Sequence, residues 1–217
     1  MNKNTTILFD LDGTLLDSLD SILESFKTAL ENINHADKYN TERVTNLIGL
    51  PLPIMFEGLG VPRELSAQSL LEYKNHYTKI KLEKTTLMEG TKEALELASD
   101  FANLGVVTTK VSTSSLELLE HLGISHYFKA LVGADNVTNP KPHPEPILKC
   151  MQMLGATDKA STWMIGDTHL DTQSAYEAGV RSIGLSCGYG SEDKMKKYTQ
   201  HIQKNPKKAI EFIINLK

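Results

Sequence analysis

The chain has 217 residues, 40% of them hydrophobic and 23% charged, which suits one large domain, or a core domain carrying an insertion, with a core that needs no staples. Its formal net charge of −4 and its lack of a dense basic block remove the electrostatic footprint of a nucleic-acid binder; the lysines near the C-terminus are diluted by polar residues and read as a solvated face. Two cysteines outside any paired spacing, no apolar run of membrane-spanning length and no signal-peptide core lead to the expectation of a reduced, cytoplasmic protein with no membrane partner.

In chain order, Thr6-Ile7-Leu8-Phe9 is a nearly continuous apolar run, as expected of a strand buried on both faces, and it ends at Asp10-Leu11-Asp12-Gly13-Thr14. From Ser18 to Thr86 the pattern changes. Leu19, Ile22, Leu23, Phe26, Leu30 and Ile33 follow helical spacing, Leu65 to Leu82 predicts another helix, and Gly-Pro-rich breakers lie between them. The spacing predicts an all-helical insertion over residues 18–86, with the core domain made of residues 1–17 and 87–217.

After residue 87, strand-like runs at Gly105–Thr108, Ala130–Gly133, Thr162–Ile165 and Arg181–Leu185 alternate with helical patterns. The helices are expected at Glu93–Leu104, Ser115–Leu122, Pro144–Leu154 and Asp171–Ala178, the last three stopped by glycine. Alternation of this kind predicts a three-layer α/β/α fold of Rossmann-like type, with a parallel sheet between helices. A last helix opens with Asn205 as cap and Pro206 at its first position, and buries Ala209, Ile210, Ile213 and Ile214.

Ligands of open parallel sheets bind outside the carboxyl ends of the strands, and the residues at those ends are chemically rich here. The first strand ends in Asp10 and Asp12, the second in Thr108 and Thr109, and Ile165 is followed by Gly166-Asp167-Thr168-His169-Leu170-Asp171. Lys141 stands between Pro140 and Pro142 ahead of a helix. Two carboxylates about 4 Å apart repel by roughly 4 kcal/mol at an effective dielectric near 20. A cluster of Asp10, Asp12 and Asp167 therefore calls for protonation or a cation. With only oxygen ligands in prospect a hard cation is favoured, and Mg2+ is the one that pairs with phosphates. One carboxylate of such a cluster can attack phosphorus and a second can shuttle the proton of the leaving oxygen. Thr108 can donate to a phosphate oxygen, and Lys141 can neutralise charge on the transferring group.

Four stretches in order carry a resemblance. Phe9-Asp10-Leu11-Asp12-Gly13-Thr14-Leu15-Leu16-Asp17-Ser18 resembles the first motif of the haloacid dehalogenase superfamily in its phosphatase branch. Val106-Val107-Thr108-Thr109-Lys110 resembles the second, Lys141-Pro142-His143-Pro144 the third and Gly166-Asp167-Thr168-His169-Leu170-Asp171 the fourth. The resemblance implies Asp10 as nucleophile, Asp12 as general acid and base, and Mg2+ held by the Asp10 carboxylate, the Asp12 main-chain carbonyl and Asp167. Asp171 would lie just outside the metal's ligands or tether Lys141, and Thr108, Thr109 and Lys141 would meet the substrate phosphate. The helical insertion resembles the family's small helical cap, and the pattern is closest to the phosphoglycolate phosphatase and PpaX-type pyrophosphatase subgroup.

The expected activity is hydrolysis of a small phosphorylated metabolite. A phosphomutase would use the same aspartate. A non-enzymatic phospho-acceptor also combines acidic residues, Thr and Lys, but is shorter and lacks the insertion. A dehalogenase is disfavoured by Asp12, and a phosphonatase by the absence of a lysine in a clearly apolar setting within the insertion. Lys110 reads as structural or solvated, and Cys187-Gly188-Tyr189-Gly190 as a glycine-rich turn. Arg43, Arg63, Glu57 and several lysines are possible substrate contacts of the insertion.

Overall fold

The chain divides into two compact units, Met1–Asp17 with Leu87–Lys217 and Ser18–Thr86. The computed structural model describes residues 4–216. The first unit starts with strand β1 (Thr5–Phe9), buried at all five positions, as a strand covered by helices on both faces must be. The chain leaves this unit at β2 (Leu16–Asp17). It then forms helices α1 (Leu19–Asn32), α2 (Thr41–Leu47), α3 (Leu52–Leu59) and α4 (Ser66–Ile80), and returns at β3 (Thr86–Leu87). Next come α5 (Thr91–Phe101), β4 (Ala102–Val107), α6 (Ser112–His121), β5 (Phe128–Val132), α7 (Glu145–Met153) and β6 (Thr162–Gly166). The chain finishes with α8 (His169–Ala178), β7 (Arg181–Leu185), α9 (Glu192–Met195), β8 (Ile202–Gln203) and α10 (Pro206–Asn215).

Six strands form one sheet in the order β5-β4-β1-β6-β7-β8, parallel at every pairing. Side chains alternate across it. Ile7, Phe9, Leu104, Val106 and Ile165 pack with α5, α6 and α10 on one face, whereas Leu8, Val107 and Met164 pack with α7 and α8 on the other. This is the Rossmann-like three-layer arrangement expected from the alternating pattern. From β1 the chain moves first to β4 and later to β6 on the opposite side. The order reverses at β1, which opens a crevice at the carboxyl ends of these three neighbouring strands.

The expected helix over Glu93–Leu104 is cut short. It ends at Phe101, and Ala102–Leu104 pair instead with Thr5–Ile7. Ala and Leu suit a helix, and no Gly or Pro marks the junction, so pairing with the central strand overrides local preference. β8 has two residues, too few for any periodicity to announce it. Asn205 does cap α10, its Oδ1 accepting from Lys208 N at 3.0 Å. Ala209, Ile210 and Ile213 are buried as expected, but Ile214 is 39% exposed. Successive helical residues turn by about 100°, so of the adjacent pair only Ile213 can face the sheet.

The helical unit has its own aromatic core. Phe26 of α1 meets Phe56 of α3 and Tyr73 of α4 at centroid distances of 4.7 and 4.9 Å, and Tyr73 stacks on Tyr77 at 5.5 Å. Arg43 donates to Gly58 O at 2.8 Å, and Arg63 pairs with Glu57 at 3.1 Å. Arg43, Arg63 and Glu57, three of the residues considered as substrate contacts, are thus engaged in bonds inside this unit. Lys84 pairs with Glu24, and Lys81 is buried.

Candidate active site

The site is assembled at the carboxyl ends of β1, β4 and β6. Asp10 follows β1, and its N–H donates to Ile165 O at 2.9 Å, which carries the ladder to β6 one residue past the strand. The chain then folds back tightly. Gly13 N donates to Leu16 O at 2.8 Å and Leu15 N to Leu11 O at 2.9 Å, with Leu11, Leu15 and Leu16 fully buried as anchors. At the end of β4, Thr108 N donates to Val132 O at 3.0 Å, and the Thr108 hydroxyl accepts from Lys110 N at 3.2 Å. Thr108 is buried and Thr109 half-buried beside it.

Lys141 brings its ammonium to three acceptors: Val107 O at 3.0 Å, Asp171 Oδ1 at 2.5 Å and Asp10 Oδ1 at 2.9 Å. The first two are hydrogen bonds and the third is an ion pair, so the charge of this buried ammonium is met from three sides. Asp171 is held in turn. Its Oδ2 accepts from Thr168 N at 3.0 Å and from Thr168 Oγ1 at 2.6 Å, which closes the first turn of α8. Gly166 leaves room for it, since a Cβ there would come within 2.3 Å of the Asp171 carboxyl carbon. Asp167, at the end of β6, accepts from Thr14 Oγ1 at 3.0 Å and from Tyr189 N at 2.8 Å.

Asp10, Asp167 and Asp171 each offer an oxygen within 4.8 Å of the others, and all three are buried. One buried ammonium faces them, so two negative charges are left uncompensated when all three are ionised. Burial, the largest cause, pushes Asp10 up to about 7 despite Lys141, and the charge of Asp171 adds to the rise. Burial also holds Asp167 well above the usual carboxylate range, with Asp171 and Asp10 contributing. For Lys141 burial acts downward, but Asp10 and Asp171 outweigh it and the net direction is up, so it stays an ammonium. The Lys141–Asp10 approach lies off the hydrogen-bond direction. Asp10 Oδ1 is thus a buried oxygen with an ion-pair partner but no aligned donor among the described residues.

An excess of two charges, oxygen donors only and an under-donated carboxylate oxygen fit a divalent hard cation. Asp171 is the poorest ligand of the three, because it already accepts three hydrogen bonds, one of them from the Lys141 ammonium, whereas Asp167 accepts two, both from neutral donors. Asp10 and Asp167 remain as the carboxylates able to hold such an ion. The Asp12 carboxylate lies apart from this cluster and pairs with Lys110 at 3.1 Å.

Two participants were not legible as such in the sequence. Lys110, expected to be structural or solvated, has a side chain only 10% exposed and directed at Asp12. The turn Cys187-Gly188-Tyr189-Gly190 forms one wall around Asp167. Tyr189 N supports its carboxylate, and Tyr189 Oη donates to Asp17 at 3.1 Å. A Cβ at Gly13 or Gly188 would lie 2.3 Å from atoms of the Asp167 side chain, and one at Gly190 would lie 2.1 Å from Asp167 O. Two glycines separated by one residue after a strand were the available signal; that they fit against Asp167, on the preceding strand's end, could not be read from spacing. Gly188→Ala is expected to displace the Asp167 carboxylate. The variant should lose about 1–3 kcal/mol by thermal unfolding, and its affinity for a divalent cation, read by calorimetry, should fall at least about tenfold.

The sequence model of the haloacid dehalogenase-like hydrolase family matches residues 7–185. The chain belongs to that family. Among curated relatives it is 32% identical over 194 residues to "Pyrophosphatase PpaX" of Halalkalibacterium halodurans, covering 89% of this chain and 88% of that one. It is also 32% identical over 216 residues to "Phosphoglycolate phosphatase" of Salmonella paratyphi A, covering 87% and 85%. Among solved structures, a putative haloacid dehalogenase-like hydrolase from Bacteroides fragilis superposes with a TM-score of 0.88 at 26% identity, covering 95% of this chain and all of that one. The resemblance carried by the four sequence stretches, and the subgroup it named, are thereby met. In this haloacid dehalogenase-like chain, residues from all four stretches stand at the ends of neighbouring strands or in the loops that meet them.

Proposed function

We propose that this haloacid dehalogenase-like hydrolase is a Mg2+-dependent phosphatase that moves the phosphoryl group of a small phosphate ester onto Asp10 and then hydrolyses the aspartyl-phosphate. The enzyme class is that of a phosphoric ester hydrolase, the class of the relatives named pyrophosphatase and phosphoglycolate phosphatase. The observation that carries the mechanism is Asp10 itself. It is a carboxylate 5% exposed at the central strand's end, contacted by a buried ammonium and near a second buried acid able to share a cation.

In the first half-reaction an Asp10 oxygen attacks phosphorus, the bond from phosphorus to the leaving oxygen breaks, and Asp12 gives that oxygen a proton. In the second, the Asp12 carboxylate takes a proton from water as the water oxygen bonds to phosphorus. The Asp10–phosphorus link breaks, inorganic phosphate leaves and the Asp10 carboxylate returns. Thr108, its hydroxyl oxygen already accepting from Lys110 N, keeps its O–H to donate to a phosphoryl oxygen, and Thr109 adds a donor beside it. Lys141 neutralises charge on the transferring group and keeps Asp10 in place, and Asp171 tethers Lys141. The Asp10 carboxylate, the Asp12 carbonyl and Asp167 would hold Mg2+, which when bound offsets phosphate charge and favours an in-line geometry.

The helical unit is proposed as the cap that selects among small phosphorylated metabolites, with phosphoglycolate, pyrophosphate, sugar phosphates and nucleoside monophosphates as the substrates to compare. No helix among the described residues is long and apolar enough to cross a membrane, and the proposed location is the cytoplasm. The test is phosphate release from an aryl phosphate. Turnover should stop on chelation and return with Mg2+. In a single-turnover experiment water should clear the aspartyl-phosphate within seconds. Turnover unaffected by chelation would remove the metal, and a phosphoryl group returned to product would make the protein a mutase.

A further inference from the structure

Lys110 joins two groups of the proposed mechanism: Thr108, which donates to a phosphoryl oxygen, and Asp12, which protonates the leaving oxygen. Its main chain is fixed at both ends: the N–H donates to Thr108 Oγ1 at 3.2 Å, and the carbonyl accepts from Ala134 N at 3.0 Å. Gly133 permits this approach, since a Cβ there would stand 2.7 Å from Lys110 O. From that anchored backbone the side chain runs, almost fully covered, to Asp12 Oδ2 at 3.1 Å, where the Asp12 side chain is itself only 15% exposed. A charge-assisted contact between two largely covered groups confines both to few rotamers, unlike an exposed pair, which contributes little.

We propose that Lys110 is a positioning residue for the reaction: its ammonium holds the Asp12 carboxylate where the leaving oxygen is protonated, while its N–H orients the Thr108 hydroxyl. The inference rests on the phosphatase reading above. A carboxylate anchored at one oxygen is delivered to the leaving group in one orientation, and catalysis by a positioned acid is sensitive to displacements of an ångström or less.

A purely structural lysine would affect all substrates alike, whereas a lysine that positions the proton donor matters most when the leaving oxygen needs a proton. The experiment compares kcat/KM, which reports on phosphoryl transfer to Asp10, for aryl phosphates running from 2,4-dinitrophenyl to phenyl phosphate. Wild type, Lys110→Met, Lys110→Gln and Lys110→Arg are measured, with circular dichroism and thermal midpoint confirming the fold. Lys110→Met should lose at least about tenfold on phenyl phosphate, part of the 10²–10⁴-fold that a positioned acid supplies, and less than about threefold on the dinitrophenyl ester. Lys110→Arg should restore most of the loss; Lys110→Gln takes the place of Lys110→Met if the latter does not fold. Equal losses across the series, or none, would overturn the proposal while leaving the phosphatase reading intact. Failure of the wild type to release phosphate from any of these esters would overturn both.

Discussion

Asp10→Asn is expected to reduce phosphate release by about 10⁴-fold or more while leaving the fold in place, because an amide cannot serve as the nucleophile that the mechanism requires. The substitution keeps the shape of a residue 5% exposed and creates no cavity. It does not strand Lys141, whose ammonium retains Asp171 Oδ1 at 2.5 Å and Val107 O at 3.0 Å. It also removes a charge that burial opposes, since Asp10 is pushed up to about 7 in the protein. Thermal unfolding of the metal-free variant should therefore match or exceed that of wild type at neutral pH, and affinity for inorganic phosphate should change far less than turnover. Activity within tenfold of wild type in a well-folded Asp10→Asn protein would show that the phosphoryl group is not carried by Asp10.

How much of this could be read beforehand depended on the range of the interaction concerned. β1 is buried at every position because both faces are covered, so the largely apolar run from Thr6 to Phe9 declared itself, and Asp10 after it was conspicuous as a charge where a buried strand stops. The stretches holding Asp167, Asp171 and Lys141 were likewise visible as polar segments beside apolar runs. The division of labour within the cluster came from the family resemblance alone, not from any local pattern. That Asp171 accepts three hydrogen bonds from Lys141 and Thr168, leaving Asp10 and Asp167 for a cation, depends on loops 30 residues apart meeting over one strand end. Lys110 looked like an ordinary surface lysine because Asp12, its partner, lies about a hundred positions earlier. Gly188 and Gly190 looked like turn residues because the atoms they accommodate belong to Asp167. Local patterns report which face of an element is buried; they do not report which loop returns to touch it.

The second large effect concerns Asp167, where stability and function should move in opposite directions. Burial, then the charges of Asp171 and Asp10, hold its carboxyl well above its ordinary value of 3.8. The folded protein therefore keeps this proton to higher pH than the unfolded chain does. The associated stability is fully present below the unfolded pKa and is lost as pH rises from there through the folded pKa. Asp167→Asn removes that dependence without losing a hydrogen bond. The amide oxygen can accept from Tyr189 N, and the amide NH2 can donate to Thr14 Oγ1 once that hydroxyl rotates, both replacing bonds that the carboxylate now accepts. Without metal, the variant should match wild type in acid and exceed it at pH 8 by about 1–3 kcal/mol, a rise of several degrees in thermal midpoint. Saturating Mg2+ should reverse the order at pH 8. Wild type gains stability and releases protons as the cation replaces them, and the variant, lacking one of the two available carboxylates, gains little. Catalysis should fall with the loss of metal response. A metal-free variant less stable than wild type at pH 8 would mean that the Asp167 charge is balanced by the fold itself. Equal stabilisation of both proteins by Mg2+ would place the cation elsewhere. The opposite signs separate an aspartate kept for a cation from one kept for the fold, because only the former leaves the empty protein weaker than its amide counterpart.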